Sequence, residues 1–202
     1  MSDILGSTLV RVQKLFKDIG GDAHAETVAI AAGAEIVGQV SIDQTTPGTT
    51  NLVASSGISI SQTPTVSAAA IYAANDAVGG LLTFANAALV TGGGGVIKDV
   101  LILDDAGQDA VLELWLFNAT FTAMADNAAW APSEADLRKL VGVVSTVDGS
   151  WFAAGTPSIA RVEGSQRYDC TGTSLFGQLV TRSTPTYAAT DDVTCIIGLL
   201  RD

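Results

Sequence analysis

His24 is the sole histidine of the 202-residue chain and stands between Asp22 and Glu26. It is the one side chain whose ordinary pKa suits proton transfer near neutral pH. A Ser-His-Asp site can be drawn around it, but no G-x-S-x-G elbow is present to offer a nucleophile. His24 therefore reads as an exposed loop residue. Gly92-Gly93-Gly94-Gly95 lacks the G-x-x-x-x-G-K-S/T spacing of a phosphate loop and no helix pattern follows it, so it reads as a hairpin loop. Asp104, Asp105 and Asp109 could offer oxygens to a cation, but the EF-hand spacing is missing and a solvated turn between strands is expected. Asn118-Ala119-Thr120 matches a glycosylation sequon, which has meaning only in a secreted chain. Cys170 and Cys195 form no C-x-x-C pair, and with one histidine a zinc site is not expected. Carboxylate pairs for glycoside cleavage can be drawn anywhere in so acidic a chain, and nothing selects one. No catalytic, cofactor-binding or metal-binding residue is assigned, and a non-enzymatic protein without cofactor is expected.

The composition limits the partners. There are 21 acidic against 10 basic residues, a net charge of −11. Nucleic-acid binding rests on Lys and Arg, so it is not expected, and anionic membrane surfaces are disfavoured for the same reason. Hydrophobic residues make up 48% of the chain and charged residues 15%, which excludes intrinsic disorder. No run of 18 apolar residues is free of charge or glycine, so no membrane-spanning helix is expected. Met1-Ser2-Asp3 lacks the basic start of a secretory leader. An apolar chain with so few charges must hide surface against neighbours, and a homo-oligomer is expected.

The elements that would position any site divide near residue 65. Twelve of the 27 residues from Ser41 to Ser67 are Ser or Thr, punctuated by Pro47, Gly48, Gly57 and Pro64. This stretch reads either as a linker or as an extended arm that becomes ordered on a partner. Upstream, residues 9–17 read as one strand or as an amphipathic helix with Leu9, Val12, Leu15 and Phe16 on one face, and these four are the candidate arm contacts. Phe16 is the only aromatic before residue 66, too thin a core for an independent domain. Residues 1–65 are thus expected as an extended N-terminal arm with short strands.

Residues 66–202 hold eleven of the twelve aromatics. Strand-like runs recur at Val66–Tyr72, Leu81–Ala87, Val96–Leu103, Ala110–Phe117, Val141–Val147, Ser158–Val162, Ser174–Arg182 and Val193–Leu200, with turn chemistry between them. The expected fold is mainly β: an antiparallel β-sandwich, jelly-roll-like, with one short helix near 133–140 capped by Ser133. If the last two strands form a hairpin centred near Tyr187, Cys170 lies roughly 30 Å from Cys195, beyond disulfide reach, and an inter-subunit bridge is the remaining route to a disulfide. Val111–Phe117 and the final strand are apolar on both faces. The second face must pack on another subunit, on the helix or on the arm. Ile196, Leu200, Leu112, Leu114 and Leu116 are the candidate subunit-interface residues. Trp115, Trp130 and Trp151 could stack on sugar rings, though burial suits them better.

The run YAANDAVGGLLTF at 72–84, GVIKDVLILD at 95–104, LWLFNATFTAMADNAAWAPSEADL at 114–137 and TSLFGQLVTRSTPTYAAT at 173–190 resemble segments of tailed-bacteriophage virion structural proteins. GQVSIDQTTPGTTNLV near the N-terminus is similar to their arm regions. The two cysteines depart from that pattern. The resemblance implies a virion component assembled in the host cytoplasm. It points first to a capsid decoration, cement or head-fibre protein bound through the arm to the major capsid protein or to another virion protein. The alternatives are a tail, baseplate or fibre component, and a receptor- or glycan-binding module. Analogy with other phage β-proteins suggests a trimer.

Overall fold

The computed structural model describes residues 56–148 and 151–202. They are mainly β. The strands are β1 (Ser56–Gln62), β2 (Ala77–Phe84), β3 (Gly94–Asp104), β4 (Leu112–Phe117), β5 (Leu140–Ser145), β6 (Trp151–Ala153), β7 (Ser158–Asp169), β8 (Leu175–Thr181) and β9 (Val193–Arg201). One helical turn, α1 (Glu134–Leu137), precedes β5, and a 3-10 turn covers Thr146–Asp148. No described helix is long and apolar enough to cross a membrane.

Two antiparallel sheets result. One runs β1-β9-β3-β7-β6 and the other β2-β8-β4-β5. Alternation along the strands builds a core to which both sheets contribute. In β9, Val193, Cys195, Ile197 and Leu199 are buried while the residues between them are not. In β4, Leu112, Leu114 and Leu116 are fully buried. These side chains join Ile97, Val100 and Ile102 of β3, Phe84 of β2 and Leu175 and Leu179 of β8 in one cluster. At Lys98 the register of β3 breaks against both neighbours, between Ile97 and Asp99. The extra residue lets Ile97 and Val100 both face inward. Opposite the bulge, a Cβ on Gly198 would lie 2.0 Å from Asp99 Oδ1, so a side chain there would have to displace the Asp99 carboxylate.

Several sequence expectations change. The β structure already includes residues ahead of Val66. Ser56–Gln62, assigned to the arm, is the edge strand beside β9, because Ile58 and Ile60 pack onto the core. Val66–Tyr72 is no strand. Ala68 and Ile71 make only isolated bridges to Tyr187 and Thr186, and Ala69 between them has φ 61°. The hairpin centred near Tyr187 does not form. β8 pairs with β2 and β4, whereas β9 pairs with β1 and β3. The helix shrinks to four residues: Ser133 Oγ accepts the Asp136 N–H at 3.1 Å as expected of a cap, but no basic residue stands in its last turn. Leu140, expected in the helix, opens β5.

Candidate functional site

The outer side of the four-stranded sheet is built from the residues that alternate with the core leucines of β4. Glu113, Trp115 and Phe117 point there, and the connection 118–133 folds back over them. Phe121 stacks on Phe117 with ring centroids 4.0 Å apart, and Trp130 lies 5.4 Å from Trp115. Phe117, Phe121, Trp130 and Val180 form a second buried cluster. Gln178 of β8, fully buried, fixes this roof. Its Nε2 donates to Gly79 O at 2.8 Å and Met124 O at 2.7 Å, and its Oε1 accepts from Met124 N at 2.9 Å. Asp126 ties the roof to the neighbouring loop by accepting from Tyr72 Oη at 2.7 Å, Ser67 Oγ at 2.5 Å and Gly79 N at 2.5 Å.

This arrangement corrects the interface assignment of Leu112, Leu114 and Leu116. All three belong to the main buried cluster and are 0% exposed, so they have no surface to offer a partner. The second apolar face of β4 is real, but it belongs to Trp115 and Phe117, and the chain's own 118–133 segment covers it.

Ile196 and Leu200 lie on the outer face of the five-stranded sheet. Leu101 stands beside Ile196 in the ladder, Leu103 beside Ile159, and Ile159 beside Phe152. Ile196, Leu101, Leu103 and Ile159 are half-buried, Leu200 is 38% exposed and Phe152 64%. Arg161 crosses this face, donating through Nη2 to Asp99 Oδ2 at 2.6 Å. Leu101, Ile159 and Phe152 were absent from the sequence assignment. The alternation Ser158-Ile159-Ala160-Arg161 held the signal for Ile159, but β6 is too short to show a period. Leu9, Val12, Leu15, Phe16 and His24 lie outside the described residues.

A polar corner flanks the roof. Glu113 Oε2 accepts from Arg182 Nη2 at 2.6 Å and from Trp115 Nε1 at 3.0 Å, and Arg182 also donates to Asn75 Oδ1. The Arg182 bond, aided by Trp115 and opposed by partial burial, holds the Glu113 carboxyl below the usual carboxylate range. A cleft of about 420 Å³ opens between β5 and β7, with Val143, Val144, Asp99, Glu163 and Gln166 in its walls. Asp104 is not the solvated turn residue expected. It is fully buried and accepts the N–H groups of Ala106, Gln108 and Asp109 at 3.1, 2.9 and 3.1 Å. Burial raises its pKa against those three bonds. Its oxygens hold the loop together. Cys170 and Cys195 are free and buried, and desolvation pushes their thiols up to about 11 and about 12. Among the described residues no three of His, Cys, Asp and Glu gather as a metal site would require.

No protein-family model, curated protein or solved structure matches the chain.

Proposed function

We propose that the two sheets stack as a jelly-roll-like β-sandwich and that the protein is a non-enzymatic structural component of a tailed-phage virion. Its station is the capsid exterior, as a decoration, cement or head-fibre protein. The N-terminal segment, through Leu9, Val12, Leu15 and Phe16, is the contact with the major capsid protein. The observation that carries this reading is where the phage-like runs fall. Residues 72–84, 95–104, 114–137 and 173–190 supply β2, β3, β4 with its roof, and β8. They are segments that contribute strands of both sheets and the cover over β4, so the resemblance follows the framework. The net charge of −11 supports solubility at high local concentration and disfavours the genome as partner. The outer face with Ile196, Leu200 and Phe152 supports association with other protein surfaces, including further copies of the chain.

One observation favours the second reading, a tail or fibre component that binds a glycan. Trp115 is half-buried, and Glu113 and Arg182 flank it with hydrogen-bonding groups. Quantitative mass spectrometry of purified virions separates the two. Hundreds of copies per particle are expected for a shell protein. A handful of copies would move the protein to the tail.

A further inference from the structure

Of the sheet edges in the described residues, three carry devices that block the addition of another strand. β2 is interrupted at Gly79-Gly80, where the register against β8 breaks and Pro64 packs so close that a Cβ on Gly79 would lie 2.2 Å from its ring. β5 is irregular at Val141, and the Gln166 side chain lies over Gly142, 3.4 Å from where its Cβ would be. β6 has three residues, and past its end the margin of β7 bears Arg161, Glu163 and Arg167. β1 has none of these. Its seven residues pair with β9 without a break, from Ser56↔Arg201 to Gln62↔Cys195. It contains no charge, no proline and no bulge, and among the described residues nothing pairs with its other side. In an antiparallel ladder every second residue of β1 turns its N–H and C=O away from β9, so this side presents an open row of donors and acceptors.

We infer that β1 is a self-pairing edge: two copies of the chain associate by antiparallel addition of β1 to β1 about a two-fold axis at Ser59. The sequence Ser56-Gly57-Ile58-Ser59-Ile60-Ser61-Gln62 is complementary to its own reverse. In that register Ser59 meets Ser59 of the second copy, Ile58 meets Ile60, Gly57 meets Ser61 and Ser56 meets Gln62. The pairing adds roughly six to eight backbone hydrogen bonds. Ile58 and Ile60 face the core side and are only half-buried. The pairing sets the isoleucines of the two copies against each other and closes the open flank of the core. On the outer side only Gly57, Ser59 and Ser61 face the partner, so no bulky group obstructs the approach. Unlike strands from other proteins, a second copy satisfies this pattern at every position, and a two-fold contact closes without further growth. The inference goes beyond the virion reading and does not depend on it.

The test uses the full-length protein. In the proposed register two Ser59 Cα atoms lie about 4.5–5.5 Å apart, within disulfide range. Ser59→Cys should therefore give a cross-linked species of twice the 20.6 kDa chain mass on mild oxidation. It should form at least tenfold faster than with Ser165→Cys, an exposed residue on β7. Gly57→Cys alone should not cross-link, whereas an equal mixture of Gly57→Cys and Ser61→Cys should. Ser59→Lys sets two cations face to face and should raise the dimer Kd at least tenfold in sedimentation, with the circular-dichroism spectrum unchanged. Cross-linking of Ser59→Cys no faster than Ser165→Cys would overturn the inference. So would a wild-type monomer at high micromolar concentration, or a trimer that Ser59→Lys leaves intact. None of these results touches copy number in virions, which tests the function proposed above.

Discussion

Over the four-stranded sheet, residues 118–133 form a roof in which Phe121 and Trp130 bury the outer side of β4. Over the five-stranded sheet no such roof exists among the described residues, and Leu200 and Phe152 stay 38% and 64% exposed. The two faces start from the same local pattern, a strand apolar on both sides. The difference is a long connection. Between β4 and β5 the chain has room to fold back over its own strand, and Gln178 waits in β8 to bind it. Among the described residues no connection does the same for β9, and Ile196 and Leu200 keep part of their surface in water. A second apolar face thus calls for cover without saying whether the chain or a neighbour supplies it.

Opening the roof should have the largest effect. Trp130→Ala removes a buried indole that touches Trp115, Phe117 and Phe121. Its cost should be about 3–5 kcal/mol in urea unfolding, as for other buried aromatics. A loss below about 1 kcal/mol would mean the roof adds little and that both faces are in effect open.

A sharper cut leaves the aromatics and removes the clamp. Gln178→Leu has the right volume for a buried site but leaves Gly79 O and both polar backbone atoms of Met124 without their partner. Unmet buried groups cost about 1–3 kcal/mol. The loss should appear in urea unfolding together with faster amide exchange at Met124. Unchanged exchange there would show that stacking alone holds the roof.

The clamp also marks how far the sequence could be read. Seven of the strand runs were visible as apolar alternations between turn residues, and Ser133 announced its helix. Pairing was not visible. TSLFGQLVTRS and DDVTCIIGLL are neighbours in sequence and read as a hairpin, yet they belong to different sheets, because the connection 182–192 is long enough to cross between them. β1 was legible only as a short strand of the arm: Ser and Gly have little strand preference, Ile58 and Ile60 alone mark the period, and nothing in the run shows that it joins β9. Leu112, Leu114 and Leu116 were correctly singled out as apolar and placed on the wrong side. A period of two says that alternate residues share a face but not which face is the core. Phe152 left no period to read, and Gln178 looked like an ordinary polar interruption of a strand.

A smaller effect tests the polar corner beside the roof. Arg182 lowers the Glu113 pKa relative to its ordinary value of 4.5. The carboxylate therefore stabilises the fold fully above that ordinary value, and the contribution disappears as pH falls through the depressed folded value. Glu113→Gln should remove about 1 kcal/mol or less at pH 7, since both partners keep contact with water. It should also flatten the acid limb of the stability profile below pH of about 4. Asp104 acts with the opposite sign: its raised pKa makes the fold gain stability as it protonates, so part of the acid limb is masked. An acid limb identical in wild type and Glu113→Gln would show that the ion pair contributes nothing to the corner.

The smallest change belongs to the open face. Phe152 lies at the outer edge of its sheet beside Ile159, mostly in contact with water. Phe152→Thr keeps a residue suited to strands and removes the ring. A ring that is already hydrated gives up little on removal, so stability should stay within about 0.5 kcal/mol of wild type, against several for Trp130. Both variants lose a large aromatic from the outer side of a sheet, so the gap between them measures what the 118–133 roof does. A loss for Phe152→Thr above about 1.5 kcal/mol in the same urea assay would mean that the second face is covered as well. Dilution then identifies the cover: a loss that shrinks as the protein is diluted is due to a neighbouring copy, and a loss independent of concentration is due to the chain itself.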